Sequence, residues 1–181
     1  LLGQVLGVEE VADVLRLGEA PMPNVRPTDL LVKVMAAGVN RADLLQREGV
    51  YGSQSYGDST ILGLEVAGDV VDMGDAVTGF AVGDRVMGIV GGGAYAQYAR
   101  LDYGMAAAIP AGMSFTDAAA IMESFVTAWE ALSNLGRVAK GETVLVHAAA
   151  GGIGSAAVKL AKAAGTTVLA TASANNIENV L

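Results

Sequence analysis

The chain has 181 residues, 52% of them apolar and 5% aromatic, with 24 glycines and no cysteine. Lys+Arg of 11 against Asp+Glu of 19 gives a formal net charge of −8, which argues against the two polyanionic partners, nucleic acid and anionic membrane. Without cysteine, disulfides and thiolate metal sites are excluded and a reducing compartment is expected, by default the cytoplasm. No apolar run reaches the roughly 18 residues of a membrane span, and no signal peptide is visible.

The length allows one large domain or two small ones. Up to about residue 110 the chain reads as short strands punctuated by Gly and Pro. Pro21, Pro23 and Pro27 mark an irregular connection, since each fixes φ and lacks a donor. Asp29–Val39 (DLLVKVMAAGV) is strand-like, and Asn40–Glu48 (NRADLLQRE) is a short helix with Asn40 as N-cap and Gly49 as its stop. Asp43 and Arg47 stand four apart on it, the spacing of an exposed ion pair. Leu62–Met73, Gly83–Val90 and Ala94–Leu101 give three further strands, with Gly-Asp turns at Gly74–Asp75 and Gly83–Asp84. Many short strands with glycine turns predict a small, partly closed β-barrel.

After Ile109-Pro110 the pattern changes. Ser114 with Asp117 three residues on resembles a capping box, and apolar residues at helical spacing predict one helix from about Phe115 to Leu135, ended by Gly136. A strand (Thr143–His147), a glycine turn, a helix (about Gly152–Ala164) and a second strand (Thr166–Thr171) follow. This order is the opening of a parallel doubly wound sheet.

The turn HAAAGGIGSAA, His147–Ala157, sets Ala149, Gly151 and Gly154 at the three places of the dinucleotide-binding fingerprint, with Gly152 an additional glycine. Two readings are open: a loop that holds pyrophosphate on a helix N-terminus, or a βα corner that needs glycine only for close packing. His147, the sole histidine, has no neighbouring ligand set and reads as a hydrogen-bonded residue near a strand end.

Five segments carry a more specific signal: VNRADLLQREGVYG (Val39–Gly52), ILGLEVAGDVV (Ile61–Val71), VGDRVMGIVGGGAYAQYA (Val82–Ala99), AAAIMESFVTAWEAL (Ala118–Leu132) and VLVHAAAGGIGSAAVKLAKAAG (Val144–Gly165). Together, and in this order, they resemble the zinc-independent quinone oxidoreductase (zeta-crystallin-like) branch of the medium-chain dehydrogenase/reductase superfamily. The resemblance implies an α/β fold, a GroES-like β-barrel catalytic domain followed by the start of a Rossmann doubly wound parallel sheet. The expected division is 1–113 for the barrel and 114–181 for a linking helix and the first part of the NADPH-binding domain. It further implies hydride transfer from NADPH to a quinone or another electron-poor α,β-unsaturated carbonyl.

By this resemblance Asn40 and Tyr51 line the substrate and nicotinamide cleft, and Thr127 contacts the nicotinamide end. Ala149, Gly151, Gly152, Ile153 and Gly154 form the pyrophosphate turn, with Thr171 and Ser173 at the end of the second strand. The superfamily's zinc ligands fall at Asn40, Leu64 and Glu123, a set unsuited to zinc, so no metal is expected. Asn40 as a simple N-cap, Tyr51 as a packing aromatic and Glu65 as a salt-bridged strand residue remain open beside these roles. The second strand runs into Thr171-Ala172-Ser173-Ala174-Asn175 with no carboxylate to bind a ribose 2′-hydroxyl, which favours NADPH over NADH. The chain opens on Leu1 rather than Met and holds one mononucleotide half, so the rest of the protein is expected to lie outside it. SANNIENVL is read as the start of a further helix, with Ile177, Val180 and Leu181 at helical spacing. It also resembles the NIG-type strand near the family's C-terminus, a reading under which a long segment is omitted between Ser173 and Asn176. A homodimer is implied for the whole protein. Two alternatives are an enoyl reductase module of a larger synthase, which shares the barrel and a similar turn, and a truncated non-catalytic binding protein.

Overall fold

The alternating apolar residues of the N-terminal part build one antiparallel sheet in a computed structural model that describes residues 15–51 and 59–180. Its strands are β1 (Asp29–Ala37), β2 (Glu65–Met73), β3 (Arg85–Ile89), β4 (Tyr98–Asp102) and β5 (Ala106–Ala108), in the order β4-β1-β2-β3-β5. Leu30, Val32, Val66, Val70, Val86, Ala99 and Leu101 share one face and, with Val90 and Ala94, form the core of this unit. Each fully buried valine or leucine contributes about 2 kcal/mol through loss of its contact with water.

Two register breaks in the β1–β2 pairing, at Leu31/Val32 and Val34/Ala36, bend and twist the strands as bulges do. The sheet therefore curls around its apolar face. Close approach of the same two strands needs Gly68, where a Cβ would lie 2.1 Å from the Lys33 carbonyl oxygen. The helix α1 (Arg41–Arg47) follows β1 with Asn40 at its N-cap, and Gly49, at φ +72°, takes the left-handed conformation that ends it.

The chain divides into two units, Leu1–Met122 and Glu123–Leu181. The division falls beyond residue 113 because the start of the predicted helix belongs to the barrel. Ala118 and Ala119 are buried with Ala67, Met87 and Ile109, and Phe115, Ile121 and Met122 pack on the same cluster. The single long helix predicted from 115 to 135 is a correction on this point. It forms as α2 (Phe115–Ala118), a turn, α3 (Met122–Trp129) and a π-helical turn over Glu130–Leu135. The N–H groups of Ala120 and Ile121 bond to Asp117 and Ala118, three residues back, which tightens the chain and breaks the α-helical ladder. Ser114 caps α2, its hydroxyl accepting the Asp117 N–H at 3.0 Å, as the capping signal predicted.

In the second unit β6 (Thr143–Val146) and β7 (Thr167–Ala170) pair in parallel, Thr143 with Thr167 through Val146 with Ala170. The helix α4 (Gly152–Ala163) connects them. Ala128, Val146, Ala149, Ala156 and Ala157 form the buried core, and Phe125, Leu132, Val144 and Val168 pack on it. The tail read as the start of an α-helix is instead a 3₁₀ helix, Ala174–Asn179. Its bonds run three residues back, Asn176 to Ser173 and Val180 to Ile177, and the Asn176 amide also donates to the Ser173 hydroxyl at 3.0 Å, competing with α-helical pairing. Leu181 and Gly52 lie outside the described residues. Among the described residues no helix is long and apolar enough to cross a membrane.

Candidate active site

Asn40 sits where β1 gives way to α1, and both its main chain and its side chain are held. Its backbone N–H donates to Asp43 Oδ2 at 2.6 Å, and its side-chain Nδ2 donates to Glu65 Oε2 at 2.9 Å. Glu65, the first residue of β2, is 1% exposed, and Asp43 is 4% exposed. The Tyr95 hydroxyl donates to Asp43 Oδ2 at 2.8 Å and lies 3.3 Å from the Gly38 carbonyl oxygen. The shorter, charge-assisted contact takes the proton. Burial, the bond to Asp43 and the negative charges of Asp43 and Glu65 hold the Tyr95 phenol well above its usual range.

This corrects the reading of Asp43 and Arg47 as an exposed pair. Asp43 is turned inward to bind the start of its own helix, while Arg47 reaches the neighbouring Glu48 at 3.8 Å. Asp43 Oδ1 is buried without a hydrogen-bond partner. Sequence reasoning found Asn40 but missed the Asp43–Tyr95 contact. The signal was there for half of it, because an acid three residues after an N-cap is the capping-box pattern. Tyr51 is 43% exposed on the loop after α1.

In the second unit the glycines of the turn differ in how closely their surroundings approach. A Cβ on Gly154 would meet the Ala148 carbonyl oxygen at 2.3 Å and Ala149 Cα at 2.7 Å, so only glycine lets α4 start so close to β6. A Cβ on Gly151 would have its nearest contact at 3.3 Å, and one on Gly152 would be 3.0 Å from Ser124 Oγ. Ala148, at the top of the turn, takes φ +51°. Ala149 is 3% exposed and donates its N–H to the Thr171 carbonyl, tying the turn to the end of β7.

Gly151 is the N-cap of α4 and has no side chain to cap it, and Ser155 N–H is the first to bond back, to Gly151. The N–H groups of Gly152, Ile153 and Gly154 precede the helical ladder and point out of the helix start, where the helix dipole is positive. Gly151, Gly152 and Ile153 are exposed. This geometry suits an anion held by backbone donors.

Thr127 is exposed on α3, and its hydroxyl donates to the Glu123 carbonyl one turn back at 2.6 Å. Thr171 and Ser173 are exposed beyond β7. Thr171 Oγ1 is 3.0 Å from His147 Nδ1, which places the histidine as a hydrogen-bonded residue beside the strand end. Among the described residues no group of three or more His, Cys, Asp or Glu side chains is placed to hold a metal ion.

Residues 26–111 match the alcohol dehydrogenase GroES-like domain family. Of the curated relatives, polyketide synthase GfsB from Streptomyces halstedii is 46% identical over 142 residues, 78% of this chain but 2% of the synthase. Among solved structures, the CurK enoyl reductase superposes with a TM-score of 0.87 at 31% identity, over 98% of this chain and 56% of that one. The quinone oxidoreductase from Thermus thermophilus, solved also as its complex with NADPH, gives a TM-score of 0.77 at 34% identity, over 96% of this chain and 54% of that one. The chain thus spans little more than half of these two solved enzymes and a small part of the synthase. The curled antiparallel sheet and the β6–α4–β7 unit define the fold of a GroES-like domain followed by the start of a nucleotide-binding sheet. The matches support membership in the medium-chain dehydrogenase/reductase superfamily.

Proposed function

We propose that this chain is the barrel and the first nucleotide-binding portion of an NADPH-dependent reductase of the zinc-independent, zeta-crystallin-like branch. It reduces a quinone or another electron-poor α,β-unsaturated carbonyl. The observation that carries this reading is the open start of α4, where Gly152, Ile153 and Gly154 offer N–H groups without a capping side chain.

The residues fit a nicotinamide dinucleotide. The three N–H groups would hold its pyrophosphate, and the absence of a Cβ on Gly151 and Gly152 would let the backbone come close. Thr171 and Ser173, beyond β7, offer hydroxyls and no carboxylate to repel a 2′-phosphate. Bound there, the nicotinamide supplies the hydride, and the protein supplies position and a water-poor cleft. Asn40 and Tyr51 carry donors able to stabilise negative charge developing on the acceptor oxygen. Thr127 supports the nicotinamide end.

The donor set does not fit catalytic zinc. Leu64 has no donor atom, and the Asn40 amide nitrogen is itself donating to Glu65.

A second reading, enoyl reduction on a carrier-bound chain, is favoured by the 46% identity to a polyketide synthase. Full-length protein separates the two. Quenching of Trp129 fluorescence by NADPH but not by NADH is expected, and equal binding would sink the cofactor assignment. Rapid NADPH oxidation with ortho- or para-quinones, and little with a short enoyl thioester, supports the first reading; the reverse order establishes the second.

A further inference from the structure

We propose that Glu65 is a positioning residue for Asn40, fixing which end of its amide faces the substrate cleft. This rests on the assignment of Asn40 to that cleft. An asparagine amide turned by half a circle exchanges a donor for an acceptor at nearly the same place, so only its partners decide its orientation. A carboxylate accepts and cannot donate, so Glu65 Oε2, at 2.9 Å, selects the Nδ2 end. The Asn40 side-chain carbonyl oxygen then faces the Asp43 backbone N–H in the capping box, and the second N–H is the group left for a ligand.

The carboxylate is itself immobile. Glu65 is 1% exposed, and Gly38 passes directly over it, since a Cβ there would lie 2.1 Å from Glu65 Oε2 and 2.5 Å from the Ala119 carbonyl oxygen. The Gly38 N–H bonds to the Glu65 carbonyl at 3.2 Å. On the other side Asp43, braced by Tyr95, holds the Asn40 backbone N–H. Both the rotation of the amide and the position of its backbone are thus set by buried acids. Removing the selecting charge frees only the rotation.

The test compares Glu65→Gln, Asn40→Ala and the double variant in full-length protein. Glutamine has nearly the shape of glutamate but offers either a donor or an acceptor, so the flipped amide is no longer opposed by a carboxylate. Only the capping-box contact with the Asp43 N–H still favours the original orientation. The Asn40 side-chain NH₂ resonances, identified by their loss in Asn40→Ala, are expected to shift and broaden in Glu65→Gln. The turnover number is expected to fall about tenfold, with the NADPH dissociation constant changed less than about twofold. If Glu65 acts through Asn40, the double variant is no slower than Asn40→Ala.

Unchanged NH₂ resonances in Glu65→Gln, or a double variant slower by the product of the two single effects, would overturn the proposal. Should Asn40→Ala turn over as fast as wild type, the placement of Asn40 in the cleft fails, and the NH₂ resonances alone still decide whether Glu65 orients it. If Glu65→Gln does not fold, Glu65→Asp, which keeps the charge but shortens the reach to Nδ2, is read by the same resonances.

Discussion

A methyl group on Gly154 would lie 2.3 Å from the carbonyl oxygen of Ala148, inside any tolerable contact. The atoms it meets are backbone, so the clash cannot be relieved by a rotamer change. Gly154→Ala is expected to push α4 off β6 and destabilise the second unit by about 2 kcal/mol, and, on the proposed cofactor site, to weaken NADPH binding with it. Gly151→Ala is the control. Its φ of −78° suits alanine and its Cβ would meet only the Ala148 carbonyl oxygen, at 3.3 Å. Stability should therefore fall less than in Gly154→Ala, while on the proposed cofactor site the methyl would obstruct the pyrophosphate. Denaturant titration and Trp129 quenching read the two effects separately. Equal loss of stability in both variants would contradict this division of labour.

Ala148 is held at φ +51°, a conformation that costs an L-residue about 1 kcal/mol and glycine little. Ala148→Gly should therefore stabilise the second unit by about 0.5 kcal/mol, after the extra entropy of glycine in the unfolded chain is subtracted. A lowered denaturation midpoint would show that contacts of the Ala148 methyl outweigh the backbone strain.

The Tyr95–Asp43 bond predicts an alkaline limit on the barrel. Because the folded state holds the phenol above its ordinary value of 10.0, it keeps a proton that the unfolded chain releases. The associated stability is fully present below about pH 10 and is lost as pH rises from there through the folded value. Wild type should lose stability with pH in that window more steeply than Tyr95→Phe. At neutral pH the phenylalanine variant should be less stable by about 1 kcal/mol, through loss of one hydrogen bond to a buried acid. Parallel pH profiles for the two proteins would remove Tyr95 as the cause.

Strand positions were legible because alternation and Gly-Asp turns act locally. Asn40–Glu48 read as a capped helix, Asn40 is its N-cap, and Gly49 ends it with a positive φ. The start of α4 at Gly152 was equally plain, since the strand, turn and helix periods change within a few residues. What sequence could not show are decisions made by tertiary contact. Nothing in SFTDAAAIMESF marks Ala118 and Ala119 for the barrel core, yet that burial separates α2 from α3. Asp43 has two partners at plausible spacing, Arg47 ahead and Asn40 behind, and only the arrival of Tyr95 from a distant loop settles which is used. The buried Asp29, 0% exposed, was likewise hidden. Arg26, three residues before it, supplies two side-chain bonds at 2.9 and 3.0 Å that make the charge tolerable inside.

Arg85 joins the end of the sheet to the segment that leads into α2. Its terminal nitrogen donates to the Met113 carbonyl at 2.7 Å, and its guanidinium carbon lies 4.3 Å from the centre of the Phe115 ring. Lysine can supply a charge there but not a planar group that stacks and donates at once. Arg85→Lys is expected to destabilise the barrel by about 1 kcal/mol, and Arg85→Ala by more. The stacking share is isolated by a double-mutant cycle with Phe115→Leu, for which a coupling of about 0.5–1 kcal/mol is expected. A coupling near zero would leave the Met113 bond as the whole contribution of Arg85, and Arg85→Lys should then recover part of what Arg85→Ala loses by the same measurement.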